Sequence, residues 1–237
     1  MRDFVLARVA AFIGAVLGSA LVLFIVLDLL PGASAPDAGI DVRLLSLLGT
    51  ADEWQRLSVT LPLVFLALAI AMLGGLGLSR LRHWPTLRRG LAALLGMLPP
   101  FWLGLLLSLF VAGLWRLLPA GGFVPWSNPP AALASLVLPA LALGLPYAGR
   151  VALQLRDGPP AALLPSLGRS FAALLVAATL VETVFYLPGL GRLVLGAAQQ
   201  HDLPTLRAGL FVLILVASAG LLAATLSRRA FEPEPRR

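Results

Sequence analysis

Six stretches of the chain are apolar for long enough to cross a lipid bilayer, at residues 4–30, 58–79, 91–118, 132–152, 169–187 and 206–227. A helix rises 1.5 Å per residue, so about 20 residues span the roughly 30 Å of hydrocarbon. The segments between the six are short and polar. This pattern predicts an all-α polytopic membrane protein, one transmembrane domain over residues 1–237 with about six helices, no soluble domain and no internal repeat. The first run, Phe4–Leu30, exceeds the apolar core of a signal peptide, about 7–15 residues, and no small-residue cleavage site follows it. It reads as a retained helix. The longest connection, 31–57, has room for a small interfacial helix, and the Pro-interrupted tail FEPEPRR reads as frayed and solvated.

Composition explains what these helices face. Only 12% of residues are charged and 59% are hydrophobic, against about 25% charged in a soluble domain. So little charge cannot cover a folded surface, and the surface faces lipid. A net charge of +7 would suggest nucleic acid in a soluble chain. Here the basic residues, all 18 of them Arg, sit in the connections, where they set topology; no nucleic-acid partner is expected. With the N-terminus inside, the cytoplasmic segments hold Arg2, Arg8, Arg80, Arg82, Arg88, Arg89, Arg150, Arg156, Arg169, Arg228, Arg229, Arg236 and Arg237. The outer segments keep Arg43, Arg56, Arg116, Arg192 and Arg207. Basic residues accumulate on the cytoplasmic side of membrane proteins, so both termini are expected in the cytoplasm.

Candidate chemistry is sparse. No cysteine is present, which removes disulfides, thiolate metal sites and a Cys nucleophile. His83 and His201 lie in different connections, so no metal site is expected. An intramembrane protease needs a Ser/His pair or two facing carboxylates. Asp28 and Glu182 are the only carboxylates inside the spans, and no His lies in any of them. A phosphate-binding loop ending in Lys is excluded because the chain has no Lys. An enzyme is not expected, nor a cofactor on this chain. If ATP drives this protein, it binds on another chain.

Two features mark the spans as more than anchors. Pro62, Pro99, Pro100, Pro139 and Pro146 each remove a backbone donor. The carbonyl so freed needs a neighbouring helix or a water-filled cavity, since lipid offers no partner. Five together favour a bundle that bends around something. Glu182, near the end of the fifth span, has two readings. It is a pathway or gate residue, or it is a carboxylate near enough to the headgroups to hydrate and to pair with Arg192. Asp28, just ahead of Pro31 and Gly32, reads first as interfacial.

Several stretches resemble the permease subunits of dipeptide/oligopeptide/nickel-type ABC importers. Phe24–Gly32 (FIVLDLLPG) is similar to the end of that family's first helix, and Leu98–Pro119, followed by AGGFVP, to its Pro-Phe-Trp-Leu-Gly helix. Val181–Arg192 (VETVFYLPGLGR), followed by His201, Asp202, Leu203 and Pro204, is similar to the block at the outer end of its fifth helix, and Leu138–Gly144 fits its fourth. The resemblance implies a permease, multi-pass in a bacterial inner membrane, that pairs with a second related permease subunit, two ABC ATPase subunits and an external solute-binding protein. Its cargo would be a peptide or a small chelate such as a nickel complex, crossing the lipid bilayer between the two permeases. The resemblance places Glu182, Phe185, Tyr186, Pro188 and Gly189 at the pathway or outer gate, with the Pro-Gly-Leu-Gly turn folding Phe185 and Tyr186 over the outer mouth. It places an ATPase-docking loop at Arg156, Asp157, Leu163, Leu164 and Arg169.

Two departures bear on that implication. The outer connection after the first helix is shorter than the family's. The 156–169 segment, RDGPPAALLPSLGR, lacks the longer stretch with a Glu-Ala-Ala-like sequence and leaves room for barely one helical turn between Pro160 and Pro165. Three readings stay open: a minimal plug suffices, the partner permease carries most of the coupling, or the chain is a degenerate subunit or scaffold. A stand-alone secondary transporter is the rival from another class. Its ion coupling would need intramembrane acids at broken helices, for which Asp28 and Glu182 are poor material.

Overall fold

Small residues decide which helices touch. The computed structural model describes residues 2–28, 51–81, 83–157 and 163–231, and helices are the only regular structure among them. In chain order these are α1 (Arg2–Asp28), α2 (Ala51–Ser79), α3 (Pro85–Met97), α4 (Pro100–Leu107), α5 (Pro129–Asp157), α6 (Leu163–Val184), α7 (Leu190–Gln200) and α8 (Leu203–Phe231). A π-helical stretch, Ser108–Leu114, continues α4. Five helices (α1, α2, α5, α6 and α8) are long and apolar enough to cross a membrane, and α3 with α4 makes a sixth if the bent pair is one span. The chain is the all-α polytopic membrane protein that its apolar runs predict.

The centre of the bundle is the α2–α5 pair. A Cβ at Gly144 would lie 2.5 Å from the Ala67 carbonyl oxygen, and one at Gly75 2.6 Å from Val151 Cβ. With no side chain at these two positions the backbones meet, as membrane helices do when lipid supplies no hydrophobic drive toward association. Leu63, Val64, Leu136, Leu143, Leu174 and Leu175 fill the space around this contact and are fully enclosed. Leu17, Leu73 and Val176 point the other way and are largely exposed, which suits a surface bathed in hydrocarbon.

α1 is held differently. Nothing in its apolar stretch Leu6–Val26 is buried, and it packs along α8. Arg8 and Thr225 line one groove between the two helices, while Arg207 lies over the Phe24 ring at 5.6 Å. The two are therefore antiparallel, and the start of α1 shares one end of the bundle with the end of α8. That end is called terminal below, and the opposite one distal.

The expected third span, 91–118, is corrected: it is not one helix. Its halves meet at 94°. Leu98 and Pro99 are both extended, with ψ of 125° and 132°, because each precedes a proline ring that disfavours the α region. Hydropathy stays high through the break and hides it. Pro62 acts more gently, inside α2. Its missing N–H would have met the Ser58 carbonyl one turn back. The Trp126 indole N–H donates to that oxygen instead, at 3.0 Å. A side chain from the segment before α5 thus supplies the partner that lipid cannot.

Candidate functional site

The distal end is organised by one buried carboxyl group. α6 stops at Val184, Tyr186 turns the chain with φ of 54°, and the extended Gly189 opens α7. The Glu182 side chain, fully buried, reaches forward across this turn. Its Oε2 accepts the backbone N–H of Arg192 at 2.9 Å, and its Oε1 accepts the Thr60 hydroxyl at 2.7 Å. Thr60 Oγ1 in turn accepts the backbone N–H of Leu190 at 2.9 Å. Two of the first N–H groups of α7, which no helical carbonyl can satisfy, thus end on Glu182 and Thr60. A negative charge placed there also meets the positive end of the helix dipole.

The Pro-Gly-Leu-Gly sequence is what lets the carboxyl group in. A Cβ on Gly189 would run into the Glu182 carboxyl, and one on Gly191 would sit 2.6 Å from Thr179 Cα and 3.0 Å from Glu182 Oε2. Leu190, Val194 and Ala197 bury the same face of α7, and Val194 lies against Gly209 of α8. His201, in the left-handed conformation, ends α7. Asp202 then caps α8, its Oδ1 accepting the Thr205 N–H at 3.3 Å.

Outside this knot lies a polar cavity of about 670 Å³. The first turns of α2 contribute Asp52, Glu53 and Arg56, α7 contributes Arg192 and Gln200, and the start of α8 contributes Asp202. Asp52 and Arg56 pair at 2.8 Å. A neighbouring cavity of about 460 Å³ shares Asp52, Arg56 and Pro188 and has Phe123 and Trp126 in its wall, the two rings edge to face at 5.7 Å. The distal end thus offers charges of both signs beside an aromatic wall. Among the described residues no three His, Asp or Glu side chains gather closely enough to hold a metal.

The expected gate residues separate. Glu182 is enclosed in protein, and Arg192 meets it through the backbone N–H while its guanidinium lies over the Tyr186 ring at 5.1 Å. The side-chain pairing expected between Glu182 and Arg192 is corrected accordingly. Phe185 is fully buried, with its ring against Gly104, while Tyr186 is exposed. The pair therefore does not close together over a mouth: the turn sends one ring into the core and the other outward. Pro188 is exposed and lines both cavities, and Gly189 is buried at the start of α7. Thr60, Asp52, Arg56 and Gln200 were not among the site residues expected from the sequence. A lone Thr in an apolar helix carries no local signal, whereas Asp202 two residues before Pro204 and three before Thr205 is a legible helix start.

The expected docking residues lie at the terminal end. Arg156 and Asp157 are the last residues of α5, Leu163 and Leu164 the first of α6, and Arg169 is exposed one turn further on. Residues 158–162, the centre of the expected loop, lie outside the described residues, as do residues 29–50 with the expected interfacial helix. The length of α6 sets docking segment and carboxyl knot about 30 Å apart.

Residues 161–237, which hold α6, α7 and α8, match the family model of the binding-protein-dependent transport system inner membrane component. The probable D,D-dipeptide transport system permease protein DdpB of Escherichia coli is 31% identical, the match covering 61% of this chain and 60% of that protein. A putative peptide transport system permease protein of Brucella suis is 29% identical over 65% of this chain and 61% of its own. The peptide transport system permease protein SapB of Salmonella typhimurium is 28% identical over 65% of this chain and 67% of its own. The chain spans about three fifths to two thirds of these relatives. The resemblance to permease subunits of peptide-type ABC importers, read from VETVFYLPGLGR and its companions, is borne out, as is a multi-pass protein of the bacterial inner membrane. The relatives are transport permeases.

Proposed function

We propose that this chain is one of two membrane-spanning permease subunits of an ATP-driven, binding-protein-dependent importer. It supplies half of the path, and the ATP is hydrolysed on partner chains. The second permease, the ATPases and an external solute-binding protein complete the machine. Peptides are the favoured cargo because the relatives above are named for them; a small chelate such as a nickel complex is the second choice. The distal end faces outward in this reading, which the distribution of Arg residues supports, and Arg156–Arg169 meets the ATPase.

The observation that carries the proposal is the coincidence of the family match with the carboxyl knot, since residues 161–237 contain the whole α6–α7 turn. Glu182 then acts as a positioning residue: it holds α7 so that Arg192 and Pro188 face the cavity. A second reading, a subunit that no longer couples to an ATPase, is favoured by the short segment RDGPPAALLPSLGR. Purification of the tagged chain in mild detergent, with mass spectrometry of what accompanies it, separates the two. A second permease and an ATPase in the eluate support the importer. The chain alone, under conditions that keep a longer relative assembled, supports the uncoupled subunit.

A further inference from the structure

α3 does not stand where the first half of a span would. One close contact fixes its height: a Cβ on Gly149 of α5 would collide with the Ala92 carbonyl oxygen and lie 3.0 Å from the Gly96 nitrogen. From Pro129, the distal start of α5, to Gly149 the helix rises about 30 Å, the full thickness of the hydrocarbon. α3 therefore meets α5 at the terminal border of the bilayer. α4 is the part that climbs. Gly104 lies against Ala142 and the Phe185 ring, and the Gly122 N–H donates to the Phe185 carbonyl at 2.8 Å, at the distal end. With 94° between the two halves, a climbing α4 leaves α3 lying across the membrane normal. The chain still passes from one side to the other, through α4 and the segment after it, so the sidedness of every other helix is unchanged.

The faces of α3 suit that position. Ala92 and Gly96 are turned to α5. Leu87, Leu94 and Met97 fall on another stripe of the helix and are largely exposed, Met97 at 81%. Thr86, Arg89 and Ala93 form a third stripe, exposed and more polar. Trp84, also exposed, stands at the start of the helix, and such rings concentrate at bilayer interfaces. An apolar stripe beside a basic one is the pattern of a helix that lies in the headgroup region. Charge commits the face to one partner. Arg80 and Arg89 are exposed and Arg88 is half-buried, and among the described residues none of the three guanidinium groups has a protein partner. The chain has no Asp or Glu between Glu53 and Asp157, so the anion that neutralises them comes from outside this part of the chain. We infer that α3 is a surface helix of the leaflet at the terminal end, with Leu87, Leu94 and Met97 among the acyl chains and Arg80, Arg88 and Arg89 on the phosphates of anionic phospholipids. The inference needs neither a cargo nor an ATPase.

The chain has no cysteine, so a single one introduced on α3 carries a spin label without background. Depths are read from oxygen and nickel-chelate accessibility in nanodiscs of phosphatidylglycerol and phosphatidylcholine. Labels at Leu87→Cys and Leu94→Cys should report the same shallow depth, whereas a span would separate them by about 10 Å. Ala93→Cys should be open to the aqueous nickel chelate. A steady gain in depth from residue 87 to residue 97 would overturn the inference. Exclusion of both reagents from Leu94→Cys and Met97→Cys would overturn it too, because a protein surface and not lipid would then cover the stripe. Native mass spectrometry of the lipids retained from the same nanodiscs tests the charge. The unaltered chain should prefer phosphatidylglycerol, Arg89→Gln should lower that preference about fivefold, the effect of one Arg near an anionic surface, and Arg89→Lys should keep most of it. Helical circular dichroism and a monodisperse elution profile establish that each variant is folded. No preference in the unaltered chain, or one that survives Arg80→Gln, Arg88→Gln and Arg89→Gln together, would overturn the assignment to anionic lipid.

Discussion

The α6–α7 turn and α1 are both parts of a membrane protein, yet they are held by opposite means. At the turn, a fully enclosed Glu182, the hydroxyl of Thr60 and two backbone N–H groups form a closed set of hydrogen bonds among three helices. Glycines at 189 and 191 are the condition for it. α1 lies along α8 with nothing in its apolar stretch buried and its outer face to lipid. In hydrocarbon, apolar contact between helices gains little over contact with lipid, so helix position is set by close packing and by hydrogen bonds. The turn is accordingly the part whose geometry this chain specifies by itself, whereas α1 depends on what surrounds it.

Substitutions sharpen that contrast in graded steps. Glu182→Ala leaves the Thr60 hydroxyl and the Arg192 N–H without their acceptor in a buried place, and should cost about 3 kcal/mol. It should appear as a clear fall in the thermal midpoint of the detergent-solubilised chain. Thr60→Val removes the middle of the chain of bonds but spares the Glu182–Arg192 link, and about 2 kcal/mol is expected in the same assay. Trp126→Phe should cost about 1 kcal/mol, by depriving the Ser58 carbonyl of its donor. In a Pro62→Ala background the helix supplies its own N–H to that carbonyl, and the cost of Trp126→Phe should vanish. A double-mutant cycle reads this coupling directly. Arg192→Ala, which keeps the backbone N–H and loses only the ring contact with Tyr186, should change stability by less than about 0.5 kcal/mol. Should Arg192→Ala prove as damaging as Glu182→Ala, an ion pair would hold the turn and the comparison drawn above would fail.

What was legible in the sequence follows the same divide. Apolar runs give away helices because the bilayer sets their length, so α1, α2, α5, α6 and α8 could be read. The distal site was readable as a place, since VETVFYLPGLGR puts an acid, a Pro and two glycines where a plain anchor needs none. Its wiring was not. Thr60 lies 122 residues from Glu182, and nothing local at either position reports the other. The bend at Leu98–Pro100 escaped for a different reason, since hydropathy counts the prolines as tolerable while their rings dictate ψ for the residues before them. α7 was lost because its eleven residues are too few and too polar on one side to stand out as a span.

The terminal end supplies the complementary lesson. Leu163 and Leu164 open α6, so the expected docking segment merges into a spanning helix. A helix that joins it to the carboxyl knot about 30 Å away is the element through which a push at one end would reach α7 at the other. That path needs α7 to be fastened to α6, which is the role assigned to Glu182.

Hydrogen–deuterium exchange at the start of α7, compared between the unaltered chain and Glu182→Ala, tests that fastening most directly. The account predicts slow exchange of the Leu190 and Arg192 amides in the unaltered chain. In the variant these amides should exchange at least about tenfold faster, the effect of losing roughly 1.4 kcal/mol of local protection, while the α2–α5 core stays unchanged. Equal exchange of these amides in the two proteins would mean that α7 is held by its apolar face alone, and Glu182 would lose its place as the anchor of the distal end.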